Sequence, residues 1–265
     1  VLIAEESTAW PQVTGKPEDG GLGFDFKWNM GWMNDFTSYM RCDPYFRKYN
    51  HNRMTFSLTY FNSENYILVL SHDEVVHLKC SMINKMPGFP DDKFANLKAG
   101  YTFMMGHPGK KLLFMGQDFG QCHEWDEKVA LDWQLTDDED HRDLQNYVRD
   151  LLQLYRKYPA LYQLDNDWNG FQWINANDGD RSIFSFIRKD ETGKKNLLFV
   201  VNFTPVDRPD YRVGVPKKKQ YKLIMNEQGL LPKGKAFKAE KKNCDNREFS
   251  FAYPLEAYGV GVFTY

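Results

Sequence analysis

The sequence predicts an α/β unit followed by an all-β unit, and three observations predict it. Over residues 1–160, short continuously apolar runs that stop at polar residues alternate with stretches of helical periodicity, as in parallel strands joined by helical crossovers. One such helix, 140–158, repeats Leu144, Val148, Leu151, Leu152 and Tyr155 at the i, i+4, i+7, i+8 spacing of a single buried face. After Pro159 the texture changes to short β-rich runs separated by turns, the signature of a small antiparallel sandwich. At 265 residues and about 150 residues per domain, the expected division is 1–160 and 161–265.

Taken in order, Val1–Ala4 (VLIA) reads as a strand buried on both faces, ending at Glu5, Glu6 and Ser7. Phe24, Phe26 and Trp28 alternate with Asp25, Lys27 and Asn29, a period-two second strand, and Gly31–Met40 reads helical. Tyr66–Leu70 (YILVL) is a third, buried strand, again followed by polar groups: Ser71, His72, Asp73 and Glu74. Ala95–Met105 suits a helix that stops near Pro108, and Lys111–Met115 a fourth strand ending at Gly116, Gln117 and Asp118. In the second unit, strands are expected over 182–187, 196–203, 221–225, 249–253 and 258–265, with a turn over 189–195. The lysine-rich stretch 216–242 reads as a solvated, mobile loop.

Composition narrows the function classes. With 42% hydrophobic and 26% charged residues the chain is neither disordered nor fibrous. Lys plus Arg number 34 against 36 Asp plus Glu, a net charge of −2, so no overall basic field favours nucleic acid or an anionic membrane. No apolar run reaches the roughly 18 residues of a membrane-spanning helix. Cys42, Cys80, Cys122 and Cys244 show no CxxC pairing, and reduced thiols in the cytoplasm are the expectation. The aromatic content of 16% suits a dense core and equally the flat platforms on which sugar rings rest. A first residue Val1 that leads straight into an apolar run suggests numbering that starts inside a larger gene product.

Several motif likenesses fail on geometry. His72, Glu74 and His77 echo a zincin, but the histidines are five apart, about 140° around a helix, so they would not converge on one ion. Gly106–Lys111 lacks the glycine and hydroxyl spacing of a phosphate loop, and GGLGFDF lacks the third glycine of a dinucleotide fingerprint. What remains are carboxylates at strand ends, Glu5 and Asp73, the latter preceded by His72. In a parallel barrel all strand carboxyl ends share one face. Two carboxylates meeting there would serve glycoside chemistry, one as proton donor and one as stabiliser or nucleophile. Solvated strand-end acids and helix caps are the alternative.

Six ordered motifs then carry a resemblance: IAEEST (Ile3–Thr8), GGLGF (Gly20–Phe24), KWNMGWMND (Lys27–Asp35), LSHDEVVH (Leu70–His77), PGKKLLFMG (Pro108–Gly116) and NFTP (Asn202–Pro205). The chain resembles the 1,4-α-glucan (glycogen) branching enzymes of the α-amylase superfamily, glycoside hydrolase family 13. The likeness runs the length of the chain and is densest over its first 135 residues. It implies the carboxyl-terminal half, strands 5–8, of a (β/α)8 TIM barrel, followed by the family's antiparallel β-sandwich. It implies Glu5 as general acid/base, Asp73 as the transition-state-stabilising aspartate and His72 as a sugar-binding histidine. Glu6 is expected to be structural. Trp10, Trp28, Trp32 and Trp125 either line the glucan path or pack the core. The implied partner is α-glucan, with no metal or organic cofactor.

The family's nucleophile, an aspartate in an Arg-x-Asp context on barrel strand 4, has no counterpart, because only four residues precede Glu5. Arg41–Asp43 follows a helix and Arg149-Asp150 lies inside one. Leu78 stands where the family usually has Gly, and Gln117-Asp118 where Asn-Glu is common. The resemblance thus implies branching activity for a parent protein, and a non-catalytic, at most glucan-binding role for this chain alone. A hydrolase or debranching enzyme of the same superfamily is the rival. The missing amino-terminal half is an implied partner, since a half-barrel has two open strand edges.

Overall fold

The computed structural model describes every residue from Val1 to Tyr265. The first part contains β1 (Ile3–Ala4), β2 (Phe26–Trp28), α1 (Met30–Arg41), a short α2 (Asn52–Phe56), β3 (Tyr66–Leu70), a single-turn α3 (Met82–Lys85), α4 (Pro90–Gly106), β4 (Lys110–Leu113) and α5 (Glu139–Lys157). The four strands form one sheet in the order β1-β2-β3-β4, and every pairing is parallel. Their carboxyl ends therefore lie along one side. Tyr66–Leu70 is the strand its apolar run predicted, since a parallel sheet covered on both faces selects such runs.

The helices start where local chemistry supplies caps. The Asn29 side chain accepts from the Trp32 amide at 2.9 Å, and α1 buries Trp32, Met33, Phe36, Tyr39 and Met40 at helical spacing. Asp138 caps α5 by accepting from the Asp140 amide. On α5 the buried stripe is Leu144, Tyr147, Val148, Leu151 and Leu154. Leu152, expected there, is 49% exposed, because it lies about 90° from the centre of that stripe.

The second part holds ten strands: β5 (Phe171–Asn175), β6 (Ile183–Arg188), β7 (Leu197–Asn202), β8 (Arg208–Val215), β9 (Gln220–Asn226), β10 (Gly229–Leu230), β11 (Ala236–Lys238), β12 (Glu240–Cys244), β13 (Arg247–Leu255) and β14 (Val260–Thr264). An antiparallel sheet runs β10-β9-β14-β7-β6-β5, with β11 also on β9, and faces a three-stranded sheet β12-β13-β8. Side-chain parity divides the larger sheet between two cores. On β7, Leu198 and Val200 face the small sheet, whereas Leu197, Phe199 and Val201 join a core with α1, α4 and α5.

Two expectations are corrected. Val1 and Leu2 are 94% and 64% exposed, and only Ile3–Ala4 pairs, because β1 is an edge strand with one neighbour and just Ala4 buried. The stretch 216–242 is not a loop: β9 to β11 lie in it and β12 begins there, and its lysines project outward from them. Lysine is a common guard of such strands. β5 and β8 escaped the sequence reading because FQWIN and RPDYRVGV mix polar and apolar residues without clean alternation.

Two buried guanidinium groups stitch the parts together. Arg47 donates to the carbonyls of Met40 (2.8 Å) and Phe203 (2.8 Å) and to Asn96 Oδ1 (3.0 Å). Arg188 donates to the Gly106 carbonyl and to Asp165, each at 2.9 Å. Burial pushes the Asp165 carboxyl up, but Arg188, Lys111 and Lys110 outweigh it and hold the pKa at about 2. His107 closes α4 in the same layer: its Nδ1 faces the Pro108 carbonyl at 2.8 Å and its Nε2 the Ser57 hydroxyl at 2.9 Å. This fits a neutral ring that donates from Nδ1 and accepts at Nε2.

Replacing Arg47 by Ala leaves three buried acceptors unpaired, and the expected loss is about 3 kcal/mol or more, read as a lower urea midpoint. Burial lowers the His107 pKa from 6.5 to about 3. The unfolded chain therefore takes up a proton between those values that the folded chain does not. The His107 contribution is intact above pH 6.5 and declines by about 1.4 kcal/mol per pH unit as pH falls toward 3. Denaturation midpoints from pH 7 to 4 should fall less steeply in His107→Gln.

Candidate active site

Both sequence-predicted carboxylates sit on the carboxyl side of the parallel sheet. Glu5 follows β1, and the Ser71–Glu74 turn follows β3. β2 lies between these strands, so the two ends are roughly 10 Å apart at about 4.8 Å per strand. Glu5 is exposed and Asp73 partly exposed.

The turn after β3 is built by its own side chains. Ser71 Oγ accepts from the Asp73 amide at 3.2 Å, while the buried Glu74 carboxylate accepts from the Ser71 amide. This reciprocal capping box fixes a short 3-10 helix, His72–Val75. Glu74 is thereby committed to structure. His77, at φ 55°, lies beyond the turn. Gln117, after β4, donates to the Leu70 and Ser71 carbonyls at 3.3 Å each. His72 Nε2 lies 3.3 Å from Asp73 Oδ1, and both side chains are 43% exposed. The imidazole packs against Phe114 and Trp125, centroids 5.8 and 5.9 Å away.

A separate cleft of about 540 Å3 opens beside β1 and β2. Glu6, Trp10 and Trp28 line it; Glu5, His72 and Asp73 do not. Its lip, residues 8–10, is held by the buried Lys27 ammonium, which donates to the Thr8 and Trp10 carbonyls at 3.1 and 3.3 Å. Glu6 is tied locally: its carboxylate accepts from the Thr8 amide at 2.6 Å, and hydrogen bonding to Thr8 lowers its pKa. Trp10 stands 60% exposed, whereas Trp28 is half-buried against the core.

Trp32 is core, stacked on Phe36 at 4.7 Å and 1% exposed, so it cannot reach a ligand. The Arg–Asp pairs are structural. Asp43 caps the helical turn 44–49 by accepting from the Tyr45 amide, and Asp150 accepts from the Leu230 amide, both at 2.9 Å.

Three residues that shape these sites were given no role of their own by the sequence. Lys27 is one. Glu64, buried, accepts from the Val13 and Thr14 amides at 2.8 and 2.7 Å. Glu124 accepts from the Leu78 and Cys80 amides at 3.0 and 2.6 Å. Each bond spans between 17 and 51 residues, beyond any local pattern.

Residues 173–265 match a family described as the α-amylase C-terminal all-β domain. Across its whole length the chain is 56% identical to a 1,4-α-glucan branching enzyme of Butyrivibrio fibrisolvens, covering 42% of that protein. It is 54% identical over 85% of its length to one from Halothermothrix orenii, covering 36%, and 50% identical over 97% to one from Aquifex aeolicus, covering 42%. The chain thus spans about two fifths of the length of these relatives. Two solved structures share the fold at low identity. A type I pullulanase from Bacillus subtilis, complexed with maltose, aligns over all of this chain and 39% of its own, with a TM-score of 0.68 and 13% identity. An α-amylase from H. orenii aligns over 99% and 52%, with a TM-score of 0.61 and 14% identity. Over the part of those relatives that it spans, the chain belongs to the 1,4-α-glucan branching enzyme family.

Proposed function

We propose that the chain is the carboxyl-terminal part of an enzyme that cleaves an α-1,4-glucan and transfers the cut segment to a 6-hydroxyl, forming an α-1,6 branch with retention. The carrying observation is that Glu5 and the capped His72–Asp73 turn follow strands of one parallel sheet in a chain with branching-enzyme relatives along its length. In this reading β1 to β4 are strands 5–8 of a (β/α)8 barrel, 1–160 is barrel and 161–265 the accessory sandwich.

Residue roles follow from chemistry and position. Glu5, at the end of β1, protonates the departing glycosidic oxygen. It later takes the proton of the attacking 6-hydroxyl. Asp73 accepts hydrogen bonds from sugar hydroxyls and opposes the charge of the oxocarbenium-like transition state. His72, held against Phe114 and Trp125, donates to the same sugar. The nucleophilic carboxylate that forms the covalent glycosyl-enzyme comes from the part of the protein beyond this sequence. α-Glucan is the partner, with Trp10 and Trp28 as platforms in the neighbouring cleft, and proton transfer and charge stabilisation need only side chains. A cytoplasmic location accords with this role; no helix is long and apolar enough to cross a membrane. The 265-residue chain alone binds α-glucan without turnover, because the displacement needs all members of the catalytic set.

In the full natural polypeptide, Glu5→Gln and Asp73→Asn should each lower branching by about 10²- to 10⁴-fold, with unchanged circular dichroism. The assay counts chains released by isoamylase after incubation with amylose. New debranchable chains without net reducing ends mark branching, and accumulating reducing ends would make the protein a hydrolase. Near-normal turnover by Glu5→Gln would refute its role. For the 265-residue chain, retarded migration in glycogen-containing gels without product is expected; branching by that chain would overturn the division of labour.

A further inference from the structure

Beyond the candidate aspartate the backbone turns into a left-handed strap. His77, Leu78 and Cys80 have φ of 55°, 64° and 65°, and none is glycine. Leu78 is also 96% exposed, so side-chain burial does not compensate this conformation, which is disfavoured for any bulky residue. External ties hold it instead. The Glu124 carboxylate accepts from the Leu78 amide at 3.0 Å and the Cys80 amide at 2.6 Å. These bonds lower the Glu124 pKa. The Lys85 ammonium, 7% exposed, donates to the Lys79 carbonyl and, at 2.8 Å, to the Cys80 carbonyl. From the strap, Lys79 Nζ reaches back to the Asp73 carbonyl at 2.8 Å.

The 122–125 segment holds the flanks of the same strap. The Cys122 carbonyl accepts from Ser81 Oγ at 3.0 Å and Asn84 Nδ2 at 2.7 Å. The Trp125 amide donates to the Val75 carbonyl at 2.9 Å, and its ring lies edge-on to His72. Chemically distinct contacts thus run from one segment to both sides of the His72–Asp73 turn.

We propose that Glu124 is a positioning residue for Asp73 and His72: by accepting two strap amides it holds the 77–80 strap in place, left-handed at His77, Leu78 and Cys80, so that Lys79 anchors the Asp73 backbone and Trp125 seats the imidazole. The inference rests on the reading of Asp73 as the stabilising carboxylate. It adds a role for a residue that need not touch substrate.

The test has two arms. In the first, amide hydrogen exchange is measured on the full natural polypeptide. Glu124→Ala should lose protection over 77–80 and over the 71–76 turn while the β3 amides keep theirs. Unchanged exchange over 71–76 overturns the coupling whether or not the protein is a branching enzyme. The second arm is kinetic, in the full natural polypeptide. Glu124→Ala should lower kcat by between about ten- and a hundredfold with KM for amylose little changed, and Glu124→Gln, which keeps an acceptor oxygen, should recover much of that loss. A kcat within twofold of wild type, or an effect on KM alone, overturns the proposal. An inactive wild type would instead count against the branching reading, leaving the exchange arm to decide the clamp. Leu78→Gly, which relieves the left-handed backbone without removing a tie, should keep the activity and the exchange pattern of the 71–76 turn.

Discussion

Burial of both faces of the central antiparallel strands governs the rest of this molecule. β6, β7 and β14 alternate their side chains between a core shared with the helices and a core shared with the small sheet. Each of Leu197 to Val201 is 0% exposed, so every position in that run must be apolar. The helix side of this sheet is largely aromatic: Phe184, Phe186 and Phe199 meet Phe103 of α4 or one another at centroid distances between 5.1 and 5.7 Å. Such contacts leave little room. A Cβ on Gly106 would come within 2.8 Å of Phe186, so the last residue of α4 must be glycine for the helix to lie this close. The two parts consequently share one core, and the parallel sheet is oriented by the antiparallel one.

Buried cations fix the relative placement further. Arg47 and Arg188 lie at 0% exposure, where an unpaired guanidinium would be strongly unfavourable. Apolar residues of similar volume often stabilise as much as a buried ion pair. The geometry of the donor fork therefore matters more here than the charge. Arg47 reaches carbonyls in α1 and after β7, and Asn96 in α4; only one arrangement of three elements satisfies it. That constraint reaches the candidate site through α4, whose Tyr101 hydroxyl donates to the Gln117 carbonyl at 2.9 Å. The Gln117 side chain in turn holds the end of β3.

How much was legible follows from the range of the interaction responsible. β3 was readable because a doubly covered strand is continuously apolar, and so was α5 because one stripe faces the core. The strand-end carboxylates and the motifs around them were local, and led to the family directly. Clefts and clamps were not local. Lys27, Glu64 and Glu124 are ordinary charged residues in sequence, and acquire roles only when chain segments many residues apart fold together. The lysine-rich stretch misled because charge patterning reports solvent exposure, which an exposed hairpin satisfies as well as a loop does.

The same distinction explains how a strained strap can persist beside the turn. Left-handed backbone at non-glycine positions persists only where surrounding contacts over-determine it, and over-determination needs a rigid support. The β3–β4 edge provides one: both strands are paired, and Gln117 and the Ser71–Glu74 capping box fix their ends. Across the sheet, the segment after β1 is tied by the Lys27 ammonium, which donates to the Thr8 and Trp10 carbonyls. The His72–Asp73 turn is therefore pre-organised by contacts on both of its flanks.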